Sequence, residues 1–233
     1  MSAFSEEAAG RLQPLRERVV WAAQEMARRN LVLGTWGNVS TRVDDLMVIT
    51  PSGMDYLKIQ PSDLPVLDAS GKTVLGERQP STEYRLHRAI YQQRPDLSAI
   101  VHTHSPYASV LAVVRQPLPP ILEELAQVVG GEVPVADYAL PGTAELAERA
   151  SAALGQGVAV LLPNHGMVGV GRTLQEALLV CEIVEKGARV YCYSRILGQP
   201  TVLTEDQVAW LRREFLTHYG QRPGRRIGDK AAD

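Results

Sequence analysis

The chain has 233 residues, 45% of them hydrophobic and 21% charged, which excludes wholesale disorder and allows one large core without disulfide staples. Its 24 basic and 26 acidic residues leave a formal charge of −2, so no bulk positive field points to nucleic acid or an acidic membrane surface. Two cysteines, Cys181 and Cys192, exclude a disulfide framework and fit a reducing compartment, and no apolar run approaches the roughly 20 residues of a membrane span.

The N-terminal MSAFSEEAAGRLQPL lacks the basic and apolar regions of a signal peptide, so a cytoplasmic protein is expected. From Ser5 to Asn30, Leu12, Leu15, Val19, Ala23 and Met26 recur at helical spacing. LGTWGNVSTRV reads as a turn feeding a short strand, LMVIT as a strand ended by Pro51-Ser52-Gly53, and PVLDASGKTVL as a hairpin. STEYRLHRAIYQQ is a helix with Ser81 as N-cap and Arg94-Pro95 as its stop. LSAIVHTH is then a strand and SPYASVLAVV a helix; TAELAERASAAL is a helix capped by Thr143. VAVLLP and MVGVG are strands, Leu174 to Leu197 is a long helix, and Thr204 to Tyr219 is a final one. Strands interleaved with helices predict one α/β domain over residues 1–219, with helices on both faces of a mixed sheet, and a polar tail over 220–233.

Two of the five histidines, His102 and His104, end an apolar strand in VHTH; period two places them on the same face. His165 ends another apolar strand in LLPNHGM. Three imidazoles with an open fourth position are the ligand set of a catalytic zinc, and also suit other borderline divalent metals. Taken singly, an H-x-H on a strand is equally a packed polar pair. His87, four residues after Glu83, is expected to orient or support rather than ligate, and His218 is an ordinary helix residue.

Ser81-Thr82-Glu83 opens a helix, whose free N–H groups and positive dipole end can seat a phosphate. The turns Gly37-Asn38 and Ser52-Gly53 can also approach an anion closely. Each alone is adequately explained as a cap or a tight turn; together, beside a metal, they suit a phosphate-bearing ligand near a carboxylate base. None of the four lysines, Lys58, Lys72, Lys186 and Lys230, lies in an apolar strand, which argues against Schiff-base chemistry. No G-x-S-x-G elbow, Walker loop or strand-borne G-x-G-x-x-G occurs.

The motifs GTWGNVS, ITPSGMDY, STEYRLHRAIYQQRPD, VHTHSPYAS, DYALPGT and NHGMVGVG occur in the family's order from about Leu12 to Tyr219, so that the chain resembles the class II aldolase/adducin family. The resemblance implies a three-layer α/β/α fold around a mixed, largely antiparallel sheet. It also implies a cytoplasmic, zinc-dependent lyase that reversibly cleaves a ketose 1-phosphate, such as L-fuculose 1-phosphate, into dihydroxyacetone phosphate and an aldehyde. By the same resemblance His102, His104 and His165 hold one zinc per subunit and Glu83 is the acid/base. Asn38, Ser52, Gly53, Ser81 and Thr82 match phosphate-binding positions. A homotetramer with sites at subunit interfaces is implied, in which Tyr219 reaches a neighbour's site. The chain departs from the family's aldolases in PPILEELAQVVGG, which carries no tyrosine, only Glu123 and Glu124. The proton donor then falls to Tyr219 or to Glu124. Glu124 would suit a methylthioribulose-1-phosphate dehydratase-like reaction. A pentulose-phosphate epimerase and a catalytically silent adducin-like module are the other readings.

Overall fold

The computed structural model describes residues 6–219, so the expectation for the 220–233 tail lies outside the described residues. The elements run α1 (Glu6–Arg28), β1 (Asn38–Val43), β2 (Leu46–Ile49), β3 (Val66–Leu67), β4 (Thr73–Leu75), α2 (Tyr84–Gln93), β5 (Ala99–Thr103), α3 (Pro106–Val113), α4 (Ala144–Leu154), β6 (Ala159–Leu162), β7 (Gly166–Gly171), α5 (Leu174–Leu197) and α6 (Glu205–His218).

The strands form one seven-stranded sheet in the order β4-β3-β2-β1-β5-β7-β6, with every named pair antiparallel. A single parallel bridge, Val135 to Leu161, makes the edge beyond β6 mixed. Period-two alternation divides the strand side chains between two cores. Val39, Val48, Val101, Leu161 and Met167 pack beneath α1, α3 and α5; Ile49, Ile100, Val160, Leu162 and Val168 pack beneath α2 and α4. The result is three layers, α/β/α. Leu12, Val19, Ala23 and Met26 are the buried stripe of α1, as their spacing predicts.

Two local features differ from the sequence reading. Helix α2 starts at Tyr84, with Glu83 rather than Ser81 at its cap. Ser81, held to the Thr50 carbonyl by its N–H at 3.0 Å, accepts the Glu83 N–H on its hydroxyl at 3.3 Å and the Tyr84 N–H on its carbonyl at 3.1 Å, so it closes a turn that precedes the helix. The segment PPILEELAQVVGG, for which local patterns predict no element, contains a π-helical turn at Leu125–Val129, closed by Gly130 at φ +87°. Thr143 and Thr204 cap α4 and α6 by accepting from the N–H groups of Leu146 and Gln207.

Candidate metal centre

Sheet register brings the candidate residues to one end of the central strands. Asn38, which begins β1, pairs with His102 on β5, and His102 pairs with Val168 on β7. His165 is the last residue of the turn joining β6 to β7, where Leu162 pairs with Gly166. His104 lies just past the end of β5. The close approach of these backbones explains two glycines. A Cβ on Gly166 would sit 2.1 Å from the Thr103 carbonyl oxygen, and one on Gly37, at φ +80°, would sit 2.6 Å from that of His102.

The three imidazoles converge by one nitrogen each. His102 Nε2 lies 3.1 Å from His104 Nε2 and 3.2 Å from His165 Nε2. Glu83 completes the group, with Oε2 3.2 Å from His102 Nε2 and Oε1 3.4 Å from His165 Nε2. All four ligand atoms lie within 4.8 Å of one another. Donors about 2.0–2.1 Å from a tetrahedral ion would stand roughly 3.3 Å apart, so the spacing fits one cation.

The chemistry of the donors fits as well. His102 Nδ1 lies 2.8 Å from the Met167 carbonyl, which can only accept; Nδ1 therefore carries a hydrogen, and Nε2 is the nitrogen that a cation would meet in place of a proton. Glu83 Oε1 is buried without a hydrogen-bond partner. Burial, with the positive charge of His102, depresses the imidazoles of His104 and His165 to about 3 and about 4, so at neutral pH both are free to ligate. Burial alone would raise the Glu83 carboxyl, but His102, His165 and the Asn38 N–H outweigh it and hold it ionised. His102 moves the other way: burial disfavours its charge, yet Glu83 raises it above the ordinary value.

The carboxylate is itself held. Asn38 Nδ2 donates to Glu83 Oε2 at 2.8 Å, and Asn38 Oδ1 faces His87 Nε2. Both ends of the Asn38 amide are thus occupied, a role that sequence reasoning missed. A signal was present in the spacing: Glu83, His87 and Tyr91 recur every fourth residue, a polar stripe on the buried face of α2, and Asn38 and Ser40 share one face of β1.

The other expected residues fall in two places. Ser52, Ser81 and Thr82 line one cavity of about 560 Å3, which Arg85 also lines and which no sequence signal had singled out. Gly53 stands beside Ser52 at φ +70°, with open space where a Cβ would be. Neither expected proton donor joins the cluster. Lys186 Nζ donates to Glu124 Oε1 at 2.5 Å on the surface, and the Glu124 side chain is 43% exposed. Tyr219, against the Phe215 ring at the end of α6, is 68% exposed.

Comparison with known proteins gives a consistent picture. Residues 17–192 match the model of the class II aldolase and adducin N-terminal domain. The chain is 37% identical to 5-methylthioribulose-1-phosphate/5-deoxyribulose-1-phosphate aldolase of Rhodospirillum rubrum over 88% of its own length and 92% of the relative's. It is also 37% identical to L-fuculose phosphate aldolase of Escherichia coli O6:H1, over 89% of this chain and 96% of that one. A solved L-fuculose 1-phosphate aldolase superposes with a TM-score of 0.85 at 39% identity, covering 87% of this chain and 96% of that one. No described helix is long and apolar enough to cross a membrane. With this fold, and with three imidazoles and a carboxylate gathered at the sheet end, the chain belongs to the class II aldolase/adducin family.

Proposed function

We propose that the protein is a zinc-dependent aldolase that reversibly cleaves a ketose 1-phosphate into dihydroxyacetone phosphate and an aldehyde. The observation that carries this reading is the convergence of His102, His104 and His165 on one point with Glu83 beside it. A divalent cation held there would supply Lewis-acid polarisation of the substrate carbonyl. Glu83 abstracts the proton from the carbon beside that carbonyl in the synthetic direction and returns it in cleavage. Its Oε2 is fixed by Asn38, which leaves Oε1 as the oxygen that takes the proton. Ser52, Gly53, Ser81 and Thr82, with the Arg85 guanidinium on the same cavity, hold the substrate phosphate and so bring the reacting carbon to Glu83. Asn38, whose amide NH2 keeps a second hydrogen beyond the one given to Glu83, belongs to the proposed phosphate set as well. Tyr219 of a neighbouring subunit donates to the aldehyde oxygen, in a cytoplasmic homotetramer whose sites lie at subunit interfaces.

The aldehyde is the open variable. Relatives of equal identity are named for L-fuculose phosphate and for 5-deoxyribulose and 5-methylthioribulose phosphates, which supports a second substrate class, deoxypentulose phosphates, for the same cleavage. Dehydration would need Glu124, whose carboxylate is engaged by Lys186 instead. The test is a metal assay coupled to a panel of these three ketose 1-phosphates. One zinc per chain and chelator-sensitive release of dihydroxyacetone phosphate are expected. Release that survives complete removal of metal, or no release from any member, would overturn the reading.

A further inference from the structure

Behind Glu83 lies a buried chain of polar side chains that proton abstraction does not itself use. Asn38, Ser40, His87 and Tyr91 are all buried. The order of donors along it is fixed from one end. An ionised carboxylate only accepts, so the Asn38 group facing Glu83 at 2.8 Å must be the NH2. Asn38 Oδ1 therefore faces His87, and His87 Nε2 must carry a hydrogen to meet it. A neutral ring protonated at Nε2 has its lone pair on Nδ1, which accepts from the Ser40 hydroxyl at 2.6 Å. With the Ser40 hydrogen spent on His87, Tyr91 is the donor at the other end, its single hydroxyl hydrogen shared between Ser40 Oγ at 2.9 Å and the Ser40 carbonyl at 3.1 Å. Burial, helped by the charge of His102, keeps the His87 ring neutral, with its pKa depressed to about 3.

Were the Asn38 amide turned over, its oxygen would face a carboxylate and its NH2 would face an N–H, two unfavourable contacts in a buried place. The Glu83 carboxylate opposes this from one side, and the Nε2–H of His87 opposes it from the other. Resting on the aldolase reading above, we infer that His87 is a positioning residue: its Nε2–H locks the Asn38 amide, and through it holds Glu83 in the orientation that proton abstraction needs.

Two measurements decide it. The first is independent of turnover: ring nitrogen shifts of 15N-labelled full-length protein at neutral pH. His87 is expected with a protonated Nε2 and a bare Nδ1; the opposite tautomer overturns the inference whatever the enzyme does. The second uses the zinc-loaded protein and solvent exchange of the α-proton of dihydroxyacetone phosphate. His87→Leu should slow exchange and lower kcat by about 10–100-fold, the range typical when a group orienting a metal-site residue is lost. Zinc content should stay at one per chain and KM should move less than threefold. His87→Gln, whose amide can donate from the position of Nε2, should recover activity to within threefold of the parent. Should His87→Leu not fold, His87→Asn, which can donate only from the position of Nδ1, replaces it with the same expected loss. Exchange within twofold of the parent in His87→Leu, or His87→Gln no better than His87→Asn, overturns the inference. A parent protein that shows the Nε2–H tautomer but neither exchanges nor cleaves instead refutes the aldolase reading, and with it the catalytic purpose of the lock.

Discussion

Glu83 and Glu124 are both candidate acid–base groups, and the chain treats them oppositely. Glu83 sits at the junction of α2 with β1, β5 and β7, buried, fixed by Asn38 and facing three imidazoles. Glu124 sits at the start of the π-helical turn, half in solvent and paired with Lys186. Tyr219 shares that openness at the end of α6. On the proposed aldolase reading, the groups for deprotonation are gathered within the protomer, whereas those offered for the aldehyde lie on its surface, where a neighbouring subunit would use them. An exposed pair such as Lys186–Glu124 contributes little stability, since both partners are solvated and flexible.

The comparison can be sharpened from its strong side first. Glu83→Gln removes the base and should slow α-proton exchange by about 10³-fold, within the range for loss of a general base. A loss below tenfold, with folding intact by circular dichroism, would break the contrast at its root. Next is acid. His87 titrates at about 3 in the fold against an ordinary 6.5, so the unfolded chain takes up the proton first. The associated stability is fully present above pH 6.5 and is lost as pH falls toward 3, amounting to a few kcal/mol. Urea melts of the metal-free protein between pH 7 and 4 should show that decline, to which His104 and His165 add in the same direction, and His87→Gln should make it shallower without abolishing it.

Gly166→Ala comes third. Its new methyl would meet the Thr103 carbonyl oxygen at 2.1 Å, and relief of such crowding costs about 1–3 kcal/mol and displaces the neighbouring His165. Denaturant midpoints and zinc affinity should fall together; a change in stability alone would uncouple the hairpin from the centre. On the weak side, Tyr219→Phe should slow cleavage by about 10–100-fold while leaving α-proton exchange within twofold, as removal of a proton donor used only on the aldehyde requires. The smallest effect belongs to Glu124→Gln, expected to leave kcat within twofold. A large loss there would move the donor role to Glu124 and revive dehydration.

Much of this was written in short-range patterns. The stripe of α1, the bounds of α5 and the Thr143 cap follow from periodicity and capping chemistry, which act over a few residues. His102 and His104 were placed on one face by the period of a strand, and the glycine after His165 marked a sharp turn. What stayed hidden depends on contacts between distant segments. Ser81 reads as a helix cap locally, but, held to Thr50, it closes a turn that precedes the helix. Asn38 reads as a turn residue, and only the register of β1 against β5 shows that its amide meets Glu83. No local rule announces the wide turn at Leu125–Val129.

The ligand atoms of the centre come from three segments, the last of them, at His165, lying 63 residues beyond His102, with β1 and β7 flanking β5 in the sheet. The full constellation exists only in the folded sheet, so a cation held there would favour the native state over a denatured chain that keeps only the local His102–His104 pair. Its binding would then be thermodynamically linked to closure of the sheet, and ion availability would shift how much of the population is folded.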